Sequence, residues 1–114
     1  MTQDCLFCKI ANKDIPADIV FEDEFVIAFR DISPQAPVHL LIVPRRHITT
    51  LNDVATDDQA LLGHMILTAS RLAEQEMLSA PGYRLIMNCN QDGGQTVFHI
   101  HLHLLGGRQL THFG

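Results

Sequence analysis

At 114 residues, with 46% hydrophobic and 18% charged residues, the chain has the length and composition of one globular domain, and intrinsic disorder is excluded. Eight Lys and Arg against 13 Asp and Glu leave a net charge of −5, the wrong sign for binding a polyanion, so neither nucleic acid nor an acidic membrane surface is an expected partner. The unusual figure is 7 His beside 1 Tyr and no Trp, because histidine carries both a lone pair and a titratable proton near neutral pH.

The start of the chain, residues 1–9, has Asp4 where an export signal needs basic residues, and no apolar run of signal length follows it. The longest apolar run elsewhere, residues 38–44, is interrupted by His39 and is far shorter than the roughly 20 residues of a membrane helix. A cytoplasmic protein is expected. The 3 Cys are an odd number, which in a reducing compartment argues against a disulfide framework. Cys5 and Cys8 stand at C-x-x-C spacing, as thiols or as metal ligands, and Cys89 reads as a buried thiol near a strand end.

Residues 5–12 predict a short helix closed off before Pro16, and residues 19–21 and 25–29 predict two strands joined by the acidic turn Glu22-Asp23-Glu24. Pro34 and Pro37 exclude helix and inner strand from residues 31–37, so a rigid loop delivers His39 to a third strand over 39–43 that Pro44 ends. Thr56 with Gln59 three positions on has the form of a capping box, and Asp57 and Asp58 suit the positive end of a helix dipole. Leu61, Leu62, Met65, Ile66, Ala69, Leu72, Ala73 and Met77 then recur at three- and four-residue steps, which predicts one long helix stopped by Pro81-Gly82. Residues 83–88 predict a fourth strand, Gln91-Asp92-Gly93-Gly94 a turn, and residues 97–105 a fifth strand before Gly106-Gly107. No repeat or low-complexity stretch divides the chain. The expectation is a single α+β domain over residues 1–114: a five-stranded antiparallel sheet, one long helix across it and a short N-terminal helix.

In the fifth strand His99, His101 and His103 project from one face, while Phe98, Ile100, Leu102 and Leu104 project from the other. Imidazoles two residues apart on one face lie roughly 6–7 Å apart, a row that fits a small anionic group such as phosphate. The plainer reading is a solvated polar face on a half-buried strand.

His99-Ile100-His101-Leu102-His103-Leu104-Leu105 resembles the His-φ-His-φ-His-φ-φ signature of the histidine triad family. The segment from Phe29-Arg30-Asp31 to Val38-His39, Tyr83-Arg84-Leu85-Ile86-Met87-Asn88, and Gly93-Gly94-Gln95-Thr96-Val97 through Gly106-Gly107-Arg108-Gln109 are similar to its Hint branch, whose members cleave purine nucleoside phosphoramidates. The likeness runs from Phe7 to Gln109 and implies a HIT-like fold. It also implies that His101 is a nucleophile attacking phosphorus in line, with its other nitrogen bonded to the His99 carbonyl. By the same resemblance His103 and Gln95 hold nonbridging phosphate oxygens, Thr96 lies near the leaving group, and His39 orients the triad. Gly93-Gly94 let the backbone approach, so Gly94 counts among the substrate contacts. At the nucleoside end Asp31 is implied to take both ribose hydroxyls, Phe29, Ile32, Phe7 and Ile10 to line the base pocket, and Asn88 to stand near ribose and phosphate. Asp31 also reads as a turn-forming residue, and Phe29 and Ile32 as plain core.

Cys5 and Cys8 with His47 and His99 supply four ligands of structural zinc type, a pattern some bacterial members of the family resemble. The alternative is two reduced thiols; a thioredoxin-like redox pair lacks its βαβ context. No cofactor is required for catalysis itself. His64 and His112 receive no role. Thr96 replaces the Ser common in the branch, and the tail from Leu110 matches it poorly. The resemblance implies a homodimer, which would also cover an open sheet edge. The expected activity is hydrolysis of adenosine or guanosine 5′-phosphoramidates. Hydrolysis of dinucleoside polyphosphates, and a zinc-dependent interaction protein that senses nucleotide, are the alternatives.

Overall fold

A hairpin begins the sheet, and Asp23 explains why. Its Oδ1 accepts from the backbone N–H groups of both Phe25 and Val26 at 2.8 Å, closing the turn between β1 (Ile19–Glu22) and β2 (Val26–Arg30). The computed structural model describes residues 4–113; the first three residues of the start and Gly114 of the tail lie outside the described residues. With β3 (Val38–Pro44), β4 (Tyr83–Ile86) and β5 (Leu102–Gly106), the sheet runs β1-β2-β3-β5-β4, antiparallel throughout.

β2 and β3 read as continuous apolar runs because both faces of the sheet centre are covered. On one face Val26, Ala28, Leu40, Ile42, Ile100, Leu102 and Leu104 pack against Met65, Ala69, Leu72 and Ala73 of α2 (Gln59–Gln75). On the other, Ile27, Phe29, Leu41 and Val43 pack against Phe7, Ile10 and Ala11 of α1 (Leu6–Ala11). A third, short helix, α3 (Asn90–Gly93), follows β4. Among the described residues no helix is long and apolar enough to cross a membrane.

Several expected boundaries move. The capping box sits earlier than Thr56: Thr50 caps the single turn Leu51–Asp53, with Asp53 bonding back to the Thr50 N–H. Asp58 bonds the Ala55 N–H and pairs with Arg46, which holds Thr56–Asp58 as a tighter turn ahead of α2. α2 ends at Gln75, six residues before Pro81, where Met77 turns into a left-handed φ of 63°. The fourth strand stops at Ile86, the turn at 91–94 begins as α3, and Cys89 is only half-buried. The largest change is the fifth strand, which pairs only from Leu102. Before it the Ile100 N–H donates to the Ile48 carbonyl at 2.8 Å, so this segment is held by the loop after β3 instead of by a neighbouring strand.

Candidate active site

His103 lies on β5, where it pairs with Leu41 of β3, and His39 enters two residues earlier on β3. His101 and His99 come from the irregular approach to β5, yet they stay on the α1 side of the sheet: Phe7 meets His101 edge-on at 5.0 Å and His99 at 6.0 Å between ring centres. The alternation expected of a strand therefore survives, with Ile100, Leu102 and Leu104 in the core under α2.

The three rings have distinct surroundings. His101 Nδ1 lies 2.8 Å from the His99 carbonyl; a carbonyl only accepts, so Nδ1 carries the proton and Nε2 keeps the lone pair. His103 Nδ1 is 2.9 Å from His39 Nε2, which is also 3.5 Å from Asp31 Oδ2. Burial, which penalises the cation, holds all three below the ordinary histidine value. His101 and His39 are lowered mainly by this effect, with Asp31 opposing it, and His103 falls to about 4 with help from His101 and His39. At neutral pH the three are uncharged.

His101 and His103 face a cavity of about 320 Å³, whose walls include Phe7, Ile10, Phe29, Asp31 and Thr96. Phe7 stands edge-on to Phe29 at 5.6 Å, so α1 forms an aromatic corner over the pocket. Ile32 lies at the rim and is 96% exposed, which rules out the core reading for it. Phe29 is buried and is part of the core as well as a wall. Asp31 is a turn residue through Oδ1, which takes the Ser33 N–H at 2.8 Å, while Oδ2 points at His39.

Three expected contacts are not among the cavity walls. Both N–H groups of the buried Gln95 amide are spent on the Thr49 and Val97 carbonyls, at 2.8 and 3.1 Å, and its oxygen accepts from the Asn90 N–H. Held to the backbone in this way, Gln95 braces the loop. Gly94 closes α3 at a φ of 90°, and the Asn88 amide nitrogen lies 3.9 Å from where a Cβ on Gly94 would sit.

Cys5, Cys8, His47 and His99 come together at the start of α1, all four donor atoms within 4.8 Å of one another. Cys5 and Cys8 Sγ lie 3.2 and 3.5 Å from His99 Nδ1, Cys8 Sγ lies 3.5 Å from His47 Nδ1, and the two Nδ1 atoms are 3.2 Å apart. Ligands held at about 2.0–2.3 Å around one tetrahedral ion lie about 3.3–3.8 Å apart, so the spacing fits. The tautomer fits as well. His99 Nε2 is 2.7 Å from the Pro44 carbonyl and must donate to it, which leaves the fully buried Nδ1 lone pair aimed at the sulfurs, the orientation usual for a metal ligand. Burial pushes His99 down to about 4, so it is neutral.

His64 is explained by the fold: it bonds Asp23 Oδ2 at 2.7 Å and meets Phe25 edge-on. The His112 carbonyl accepts from Arg84. The groups that sequence reading missed are backbone atoms, such as the Pro44 carbonyl, which leave no side-chain signal.

A sheet with α2 on one face and, on the other, α1 beside a cluster of histidines at a cavity frames a candidate enzyme site. The HIT domain family matches residues 12–110, and the chain belongs to this histidine triad family. It is 56% identical over 110 residues to the purine nucleoside phosphoramidase of Escherichia coli strain K12, covering 96% of this chain and 92% of that protein. A HIT family hydrolase from Legionella pneumophila superimposes with a TM-score of 0.93 at 62% identity, over 94% of this chain and 96% of that one. A zinc-bound histidine triad protein from Mycobacterium smegmatis does so with a TM-score of 0.81 at 33% identity, over 95% and 78%.

Proposed function

We propose that the chain hydrolyses purine nucleoside 5′-phosphoramidates to the nucleoside monophosphate and an amine through a nucleotidylated His101. The observation that carries this reading is the His101 tautomer: Nδ1–H is tied to the His99 carbonyl, and the Nε2 lone pair belongs to a ring on the cavity wall. Nε2 attacks phosphorus, the P–N bond to the amine breaks, and the departing nitrogen takes a proton from solvent to leave as the free amine. Water then attacks the phosphorus and returns a proton to solvent, the bond to Nε2 breaks, and the monophosphate departs. His103 donates to a nonbridging oxygen and Thr96 serves the leaving group, while Asp31 receives the ribose hydroxyls and Phe7, Phe29, Ile10 and Ile32 flank the base. Donors fixed in advance around the developing charge are the main source of acceleration.

Cys5, Cys8, His47 and His99 would hold a structural Zn²⁺, which when bound supplies a cross-link between α1, the loop after β3 and the approach to β5. Reduced cysteines suit a cytoplasmic enzyme. The exposed Ile66, Leu67 and Met77 and the unpaired outer edge of β4 support a homodimer.

Phosphorus NMR separates the substrate classes. Adenosine 5′-phosphoramidate is expected to give AMP and free amine; conversion of a dinucleoside polyphosphate alone would overturn the reading.

A pH profile gives a second check. The neutral ring is the working form and the folded pKa values lie below 6.5, so kcat/KM should stay level through neutral pH and fall only on the acid side. Stability follows the same sign: the unfolded chain takes up protons near pH 6.5 and folded His103 only near 4, so the melting temperature should drop between those values. A melting temperature flat from pH 7 to pH 4 contradicts the buried neutral histidines.

A further inference from the structure

A neutral imidazole has one N–H and one lone pair, so naming the partner of one nitrogen assigns the other. The backbone N–H of Gln35 lies 3.0 Å from His39 Nδ1. That nitrogen must accept, and the proton of His39 is on Nε2. Nε2–H then faces His103 Nδ1 at 2.9 Å, with Asp31 Oδ2 at 3.5 Å favouring a proton there. His103 Nδ1 in turn accepts, which leaves its own proton on Nε2, beside His101, whose ring centre is 4.9 Å away. One backbone amide thus sets the proton positions of two rings in succession and presents an N–H donor to the phosphate site. Asp31, His39 and His103 lie close enough together to suggest a cation site, but His39 has no second lone pair to offer, and the three form a hydrogen-bond chain.

Gln35 itself is exposed, in a loop with no regular structure, so something must hold its backbone. Arg108 does: its Nη2 donates to the Gln35 carbonyl at 2.9 Å and its Nη1 to the Gln109 carbonyl at 3.1 Å. The chain reaches that point by passing directly over Pro37. Gly107 has a φ of 101°, and a Cβ there would come within 2.8 Å of the Pro37 ring, so the close approach that delivers Arg108 needs glycine.

We infer that Arg108, anchoring the Gln35 backbone at its carbonyl one peptide beyond the N–H that meets His39, is a positioning residue that fixes the tautomers of His39 and His103. The inference rests on the proposed reaction for its kinetic consequence but not for its structural one. In nitrogen-15 NMR of labelled histidines, the wild-type protein should show single Nε2–H tautomers at His39 and His103. Arg108→Ala should mix them and lower kcat about tenfold at unchanged KM, the scale of a small misplacement of a reacting group. Arg108→Lys, which keeps a donor, should recover most of both effects. Replacing Gln35 by its α-hydroxy acid, an ester that lacks only the N–H, should reproduce the Arg108→Ala spectrum with every side chain intact. Unchanged tautomers in Arg108→Ala overturn the inference, whatever the activity does. So does a rise in KM at constant kcat, which would make Arg108 a substrate contact. If no phosphoramidate is turned over by the wild type, the proposed reaction fails while the tautomer assignment is still decided by the spectra.

Discussion

His101→Ala is expected to abolish turnover of adenosine 5′-phosphoramidate, by at least about 10⁴-fold in kcat, while AMP still binds and the protein still folds. Loss of a nucleophile removes the covalent route outright, and what remains is binding and charge stabilisation by the surrounding donors. The fold should tolerate the change because, among the described residues, the His101 ring makes one hydrogen bond, to the His99 carbonyl, and otherwise borders the cavity, Phe7 and His103. Mass spectrometry of the wild type after rapid quenching should show one nucleotidyl group on His101. Activity within tenfold of wild type in His101→Ala would sink the mechanism.

Chelation of the proposed zinc should cost both stability and rate. A ligand held at 100 to 1,000 times its dissociation constant stabilises by about 2.7–4.1 kcal/mol. For a chain of this size that corresponds to a fall of roughly 10–20 °C in melting temperature on chelation. Cys8→Ser should do the same and should abolish the one zinc per chain that elemental analysis is expected to find in the wild type. His99 links this site to the reaction: Nδ1 faces the sulfurs, Nε2 is tied to Pro44, and its carbonyl holds the His101 proton. Release of its ring should therefore lower kcat, by about tenfold on the scale of residues that orient a ligand, and leave AMP affinity largely intact. A metal-free wild type whose melting temperature ignores added zinc would show two ordinary thiols instead.

Side-chain patterns proved readable wherever one face of an element had a single task. The stripe Met65, Ala69, Leu72, Ala73 located α2, although Ile66 and Met77, counted with it, are exposed, and the spacing of His99, His101 and His103 put three rings on the side away from Ile100, Leu102 and Leu104, with Phe98 exposed instead of in the core. Cys5, Cys8, His47 and His99, scattered through the sequence, do converge. What stayed hidden was decided by the backbone. Nothing in the residues around Ile100 tells that its N–H bonds to the Ile48 carbonyl and delays the strand. Thr56 and Gln59 satisfied a capping rule that Thr50 and Asp53 fulfil instead, because both segments set a Thr three residues before a side chain that can accept from the backbone. The backbone partners of the Gln95 amide, the Thr49 and Val97 carbonyls, likewise carry no side-chain signal.

The strand order has a consequence for how the molecule comes into being. His39 meets His103 across 64 positions of sequence, and Cys5 meets His99 across 94. Both sites thus close through the long-range pairing of β3 with β5, the contacts that pay their loop-closure entropy last. During synthesis the first hairpin and α2 can take shape before β5 has emerged, but neither the histidine cluster nor the set of two cysteines and two histidines is assembled until β5 docks. Competence should therefore arrive in a single kinetic step, together with native structure and not ahead of it.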